Sequence, residues 1–237
     1  MARLRLKEVM FWSFCAPKGG VGTSVVAAAT ALECARRTRT VLIDFGGDLA
    51  QIFGVETDGK QGVHDWLAAS RDVGPESLIH LTVDVAANLA LLPAGLQPSR
   101  SVAPERAVNL VEAMNDSGDV VVADVGALAE VTDPRSFICV SGDRTSCVIR
   151  ACYLALRRFS KLPVLVDDIV EIEEPGRSLR TLDIEAVVGM PVATRIPLDP
   201  AIARAVDAGL LGQRMPRSLR RNVQVLIEDR SHLEVIR

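Results

Sequence analysis

Apolar runs separated by polar, glycine-rich breaks divide this chain into alternating strand-like and helix-like segments. Val9–Phe14 is apolar except for Ser13, and a glycine-rich stretch then leads into Val25–Leu32, which predicts a strand, a turn and a helix over about 23–37. Thr40–Asp44 is short and β-branched and ends in a turn, the pattern of a second strand. Residues 55–80 read as a connection with short helices, in which Gly62–Ala69 has helical spacing, with His64 expected at the surface and Trp66 in the core. Two short apolar stretches follow, at 81–85 and 88–95, and Pro104–Met114 predicts a helix with proline at its start and Ala107, Val108, Leu110, Val111 and Met114 apolar. Asp119–Gly126 reads as a buried strand and Phe137–Ser141 as the next one. Arg144–Phe159 is then expected to be a helix, Leu162–Asp167 a strand and 168–180 a polar surface connection. Thr181–Gly189 predicts a helix with an acid in its first turn and glycine past its end. Pro191–Pro200 follows as strand and loop, and a last helix over about 216–229 places Leu219, Val223, Leu226 and Ile227 on one face. Continuously apolar strands such as Val120–Ala123 are those of a parallel sheet covered on both faces. The predicted fold class is therefore α/β, a three-layer sandwich around a mostly parallel central sheet, formed by one domain over residues 1–237.

Composition narrows the function classes. A chain of 237 residues can bury a full α/β core. The net charge of −3 gives no overall attraction to nucleic acid or anionic lipid, so any such contact has to be local. No apolar run reaches membrane-spanning length, and the apolar stretch after the charged first eight residues is too short for a signal peptide. Both features lead to a cytoplasmic expectation. Five cysteines, at 15, 34, 139, 147 and 152, form no C-x-x-C pair and argue against a disulfide framework or a zinc ribbon. Cys139 is expected inside an apolar strand and Cys147 in a helix, both simply buried.

The segment Cys15-Ala16-Pro17-Lys18-Gly19-Gly20-Val21-Gly22-Thr23-Ser24 carries the clearest chemistry. Glycines at 19, 20 and 22 let the backbone approach a ligand and turn its N–H groups inward, and the following helix offers its positive end to the same place. A phosphate fits there, with Ser24 placed to hold a magnesium ion. Taken alone, the residues also permit a glycine-rich turn with no ligand. The usual phosphate-loop spacing requires glycine where Pro17 stands and lysine where Thr23 stands; the loop's lysine comes early instead, at Lys18.

This Lys-Gly-Gly-x-Gly-x-Ser arrangement resembles the deviant Walker A motif of the ParA/MinD family of ATPases, and the missing loop lysine is similar to the CpaE/TadZ-like branch. The resemblance implies binding of ATP and Mg2+ by Gly19, Gly20, Val21, Gly22, Thr23 and Ser24. It also implies a nucleotide-sandwich homodimer in which Lys18 reaches the partner's nucleotide. Asp44-Phe45-Gly46 resembles the family's Asp-x-Asp switch segment: Asp44 matches the first aspartate, whereas Gly46 stands where a second would orient the attacking water. Asp124, ending its strand, resembles the Walker B acid that holds the magnesium shell. Asp44 and Asp124 equally fit strand-end aspartates that cap the next turn. Leu91-Leu92-Pro93-Ala94-Gly95 is similar to the family's strand and Leu-Pro-x-Gly turn. By the same resemblance, Asp167 would meet the adenine edge in place of the family's asparagine, accepting from the amino group but unable to donate to a ring nitrogen. Pro197 and Asp199 would lie in the loop that packs against the base. Matches run from about Val9 to about Leu226.

The implied function is spatial positioning of a cellular structure: a Tad-type pilus or secretion apparatus, the division site or a chromosome locus. It would involve a protein partner of that system. With Thr23 for lysine and Gly46 for aspartate, hydrolysis is expected to be very slow or absent. Arg214, Arg217, Arg220 and Arg221 form a basic cluster for which three readings stay open: DNA phosphates as in a partition ATPase, a membrane-lying helix, or a packed terminal helix with solvated arginines. The membrane reading is the weakest, because Ser231–Arg237 is short and mixed. Two other classes compete, a degenerate scaffold that dimerises without nucleotide and a metabolic or redox enzyme on the same fold.

Overall fold

A computed structural model describes residues 11–70, 73–96, 103–128 and 133–228. Eight strands form one sheet: β1 Phe11–Ala16, β2 Thr40–Asp44, β3 Val83–Ala86, β4 Leu89–Leu92, β5 Val120–Ala127, β6 Arg144–Arg150, β7 Asp168–Glu173 and β8 Val192–Pro197. Their order is β3-β4-β2-β5-β1-β6-β7-β8, and every pairing is parallel except β3 with β4. The flanking helices are α1 Thr23–Ala35, α2 Leu49–Phe53, α3 Val63–Ala68, α4 Pro104–Asp116, α5 Ser136–Ser141, α6 Tyr153–Phe159, α7 Thr181–Val188, α8 Pro200–Asp207 and α9 Arg217–Glu228. This is the three-layer α/β sandwich that the apolar patterning predicts.

β1 lies near the centre and is buried throughout, so its alternate side chains feed two cores. Trp12, Phe14 and Ala16 join one core with α1, α2 and α9; Phe11 and Cys15 join the other with α3, α4, α5 and α6. Ala27, Ala28, Ala29 and Ala31 are buried along α1, and these small side chains seat the helix close against the sheet. α9 packs over α1 and β8 with Leu219, Val223 and Leu226 buried, as its periodicity predicts, and Ile227 is partly buried beside them. Among the described residues, no helix is long and apolar enough to cross a membrane.

Between residues 137 and 173 the expected elements shift. Phe137–Ser141 is helical rather than a strand, and the strand begins at Arg144, where a helix was expected. Leu162–Asp167 is an irregular connection, and the strand lies in Asp168–Glu173, within the stretch that reads as polar surface. The cause is a buried ion pair. Arg144 donates to both carboxylate oxygens of Asp168, at 2.5 and 2.7 Å, across the β6–β7 pairing. Its guanidinium lies 4.0 Å from the centre of the Trp12 ring and donates to the Leu226 carbonyl of α9. Ser146 donates to Asp168 at 3.0 Å and accepts from Trp12 Nε1 at 2.8 Å, which completes the network. Paired in this way, two charged residues open two buried strands, a placement that hydropathy assigns to the surface. Cys147 is therefore a strand residue and Cys139 a helical one, the reverse of the expectation, and both are buried. His64 is also buried, with Nε2 facing the Phe45 carbonyl at 3.2 Å. The expected strand start at Val9-Met10, the helix end at Asp229 and the segment Ser231–Arg237 lie outside the described residues.

Candidate functional site

The parallel topology brings the carboxyl ends of β1, β2, β5 and β6 to one edge, where ligands bind in open α/β sheets. Pro17–Gly22 leaves β1 there and turns into α1. Gly20 and Gly22 have φ of 73° and 103°, in the region that favours glycine, and Gly22 occupies the N-cap position of α1 without a capping side chain. A β-carbon on Gly22 would sit 3.6 Å from the Ile172 side chain, whereas one on Gly19 or Gly20 would face open space. The loop borders a cleft of about 790 Å3. Its walls include Gly19, Gly20, Gly22, Thr23 and Ser24 from the loop and α1, Gly46 and Asp48 after β2, Gly126 and Ala127 of β5, and Arg135 and Arg150.

Asp124 of β5 is fully buried between β1 and β2, in register with Phe14 on one side and Asp44 on the other. One carboxylate oxygen accepts from the Gly126 N–H at 3.2 Å, and the other, Oδ2, is buried without a hydrogen-bond partner. Burial, aided by the Asp44 and Asp48 charges, pushes its carboxyl up to about 7 against the pull of the Ser24 hydroxyl and the Gly126 amide. Asp44 is used differently. Its carboxylate accepts from the backbone N–H groups of Gly46 at 3.0 Å, Gly47 at 2.6 Å and Leu49 at 2.9 Å, so it shapes the turn into α2. Burial raises its pKa, against the pull of those amides. Gly46 lies over both acids: a β-carbon there would be 3.6 Å from Asp124 Oδ2 and 3.8 Å from Asp44 Oδ1. Asp48, exposed, faces the same cleft.

Gly19, Gly20, Gly22, Thr23, Ser24, Asp44 and Asp124 are thus brought together at one edge, and Val21 is buried behind the loop. Lys18 is half-buried outside the cleft wall, its Nζ donating to the Gly19 carbonyl at 3.4 Å. Asp167 is not at this edge. Because the strand begins after it, Asp167 sits at the amino end of β7, paired through backbone and side chain with Thr145 near the start of β6. The carboxyl end of β7 instead presents Glu173 and Glu174. Pro197 ends β8, and Asp199 caps α8, accepting from the Ala201 N–H and the Ser218 hydroxyl, each at 2.8 Å. Both border neighbouring hollows rather than the loop's cleft.

The arginine cluster is dispersed. Arg214 and Arg217 line a hollow with Arg204 and Asp199, Arg221 lies beside Arg195, and Arg220 turns toward Glu33 of α1, 3.8 Å away. Arg135 and Arg150 in the cleft wall escaped the sequence reading. Arg150 escaped because it ends a strand that was read as helix. Arg135 carries no sequence signal, since only its contacts with the end of β5 bring it to the cleft.

No family model and no curated protein matches the sequence. Solved structures share its fold. A ParA family ATPase from Chlorobium tepidum TLS superimposes with a TM-score of 0.74 at 21% identity, over 92% of this chain and 98% of that one. The MinD cell division protein of Aquifex aeolicus gives 0.75 at 19% identity, over 95% and 98% of the two chains. The septum site-determining protein MinD of Pyrococcus horikoshii OT3, solved with Mg-ADP, gives 0.75 at 18% identity, over 95% and 97%.

Proposed function

We propose that this protein is a ParA/MinD-like nucleotide-binding protein. It holds ATP with Mg2+ in the cleft of the glycine loop, forms a nucleotide-sandwich homodimer, and hydrolyses ATP very slowly or not at all. In the cell it would position a structure such as a Tad-type secretion apparatus, the division site or a chromosome locus. The observation that carries the reading is the convergence of a glycine-shaped loop and helix N-terminus with a buried, unpartnered carboxylate oxygen, Asp124 Oδ2, beside the Ser24 hydroxyl. That oxygen pays for desolvation without a partner, and a magnesium shell is a group that would satisfy it. Ser24 and Asp124 are the residues that would hold the ion, which when bound offsets charge on the phosphates.

The loop amides and the start of α1 would receive the phosphates. Asp44 holds the following turn through three backbone N–H groups, which leaves it a positioning role rather than that of a free base. No carboxylate stands at Gly46 to orient water, and Thr23 supplies no cation, which supports binding without efficient turnover. Lys18, outside its own cleft, is free to serve a partner's.

Molar mass by light scattering, with and without ATP and magnesium, tests this on wild type and Lys18→Ala. A monomer that dimerises only with ATP, and only with Lys18, is expected. A mass indifferent to nucleotide in both proteins would favour the scaffold reading, to which the missing loop lysine already lends weight. Turnover as fast as that of ATPases with intact motifs would overturn the slow-hydrolysis part.

A further inference from the structure

With Thr23 in place of a lysine and Lys18 outside the cleft wall, the loop puts no cation into its own cleft, yet two guanidinium groups line it. Their surroundings differ. Arg135 is already spent: Nε and Nη2 bond the Asp133 carboxylate at 3.0 and 2.6 Å, and Nη1 and Nη2 cap the Val125 and Ala127 carbonyls. Its charge is matched by a carboxylate of the same short segment. Arg150 is not matched in this way. It ends β6, in register with Ile172 of β7, and Ile172 is the side chain lying against Gly22. That register places Arg150 beside the turn from loop to α1, and it lines the cleft together with Gly20, Gly22 and Thr23. Its Nε is buried without a hydrogen-bond partner.

Among the described residues Arg150 is ion-paired with Glu174, at 3.7 Å, beyond hydrogen-bonding range, while Asp48 and Asp207 line the same cleft. The same Glu174 oxygen is held by Arg177 through two bonds, at 3.0 and 2.7 Å. Two arginines thus share one carboxylate, and the better geometry belongs to the exposed Arg177. Arg150 is thus only weakly paired and keeps unspent donors at a cavity bordered by a phosphate-type loop.

We infer that Arg150 supplies to the phosphates of a bound nucleotide the in-chain positive charge that the loop lacks at Thr23, with Glu174 as the weak counter-ion that holds it in place while the cleft is empty. The inference rests on the nucleotide-binding reading above. The guanidinium also suits the task because it presents several donors in a plane, in the fork that matches phosphate oxygens.

The test is a titration of the full chain with fluorescent N-methylanthraniloyl ATP and ADP in magnesium buffer. It covers wild type, Arg150→Gln, Arg150→Lys, Glu174→Gln, Thr23→Lys, and Arg150→Gln combined with Thr23→Lys. Charge-assisted hydrogen bonds of this kind are worth roughly ten- to a hundredfold in affinity. Arg150→Gln is expected to lose about that much for ATP and less for ADP, while Arg150→Lys keeps most of it. Thr23→Lys should raise affinity more in the Arg150→Gln background than in wild type, because the two cations substitute for each other at the phosphates, a non-additivity that a merely structural arginine would not show. Glu174→Gln should tighten binding severalfold. If wild type and Arg150→Gln bind equally well, the inference falls and the nucleotide-binding reading stands. If wild type binds no nucleotide, that reading falls and takes this one with it. Weak binding by Arg150→Gln with the same gain from Thr23→Lys in both backgrounds, together with an unchanged Glu174→Gln, would make Arg150 structural and overturn the inference. Should Arg150→Gln fail to fold, by urea denaturation, Glu174→Gln decides: tighter binding supports the role and unchanged binding refutes it.

Discussion

Replacing Asp124 by asparagine should stabilise the metal-free protein at neutral and alkaline pH, and the gain should vanish in acid. The Asp124 carboxyl is fully buried and pushed from 3.8 up to about 7 by burial, with the Ser24 hydroxyl and the Gly126 amide only partly offsetting it and Asp44 adding to it. In the unfolded chain the group titrates near 4. Between about pH 4 and pH 7 the unfolded chain has therefore released a proton that the folded chain keeps, and stability falls by about 1.4 kcal/mol for each pH unit. Across roughly three units this amounts to about 4 kcal/mol, absent below pH 4 and fully lost above pH 7. Asparagine has nearly the same shape and carries no charge at any pH, so its variant lacks this slope. Urea denaturation in EDTA at pH 4, 5.5, 7 and 8 measures the difference between the two proteins, in which titrating groups away from Asp124 cancel and Asp44 and Asp48, whose charges bear on it, enter with Asp124. The expected difference grows from near zero at pH 4 to about 4 kcal/mol in favour of asparagine at pH 8. A difference that does not change with pH would refute the reasoning, as would an asparagine variant less stable at pH 8. It would mean that Asp124 is not the strained acid its burial implies.

Gly46→Asp should be tolerated, because Gly46 has no positive φ and a β-carbon there makes only ordinary contacts. If the missing second acid limits hydrolysis, phosphate release should rise at least about tenfold, and unchanged turnover in a protein that still binds ATP would clear Gly46 of responsibility. Asp168→Asn strands the buried Arg144 and should cost about 3–5 kcal/mol in urea unfolding, most of it recovered when Arg144→Met is added. A double variant no more stable than the single one would show that the pair is not the coupled unit its geometry describes. Gly22→Ala forces a side chain to φ of 103° and should cost about 1–2 kcal/mol, whereas Gly19→Ala, outside the positive-φ set and facing open space, should be neutral by the same measurement.

Most of the sheet was legible because its strands are apolar on both faces. β1, β2, β4 and β5 announce themselves as runs that only a doubly covered sheet can bury, and the loop and Asp44 follow from them, standing where strands end, whereas Asp124 lies inside β5, which runs on to Ala127. Legibility failed where charge enters the core. β6 starts with Arg144 and β7 with Asp168, and each looks like surface until the other is beside it, 24 residues away in sequence. Phe137–Ser141 compounded the error, since a five-residue apolar run has no periodicity that separates a strand from a helical turn. Without that pair the sequence pattern misplaces the strands between 137 and 173 and puts Asp167 at the opposite edge of the sheet, while the last half of the expected helix stands as α6 Tyr153–Phe159.

The same misreading hid the residue on which the cleft's charge balance turns. Sequence logic records a deficit at Thr23, a loop cation replaced by a hydroxyl, and stops there, because compensation from another strand has no spacing rule. With β6 in place, Arg150 stands at a carboxyl edge that the loop also reaches, and it shares Glu174 with Arg177, which holds that carboxylate at closer range. Asp44 and Asp124 put two buried carboxyls at this edge, one satisfied by backbone amides and one left with an unpartnered oxygen. A cleft that combines an unsatisfied acid with a weakly paired arginine is polarised in the sense a magnesium–polyphosphate pair requires, with a place for the cation beside Asp124 and a charge for the anion at Arg150. On the proposed reading, threonine at position 23 would weigh more heavily on turnover than on binding. Holding a phosphate would need net positive charge near the loop, which Arg150 would provide, whereas hydrolysis would also need a water-orienting carboxylate, and Gly46 has none.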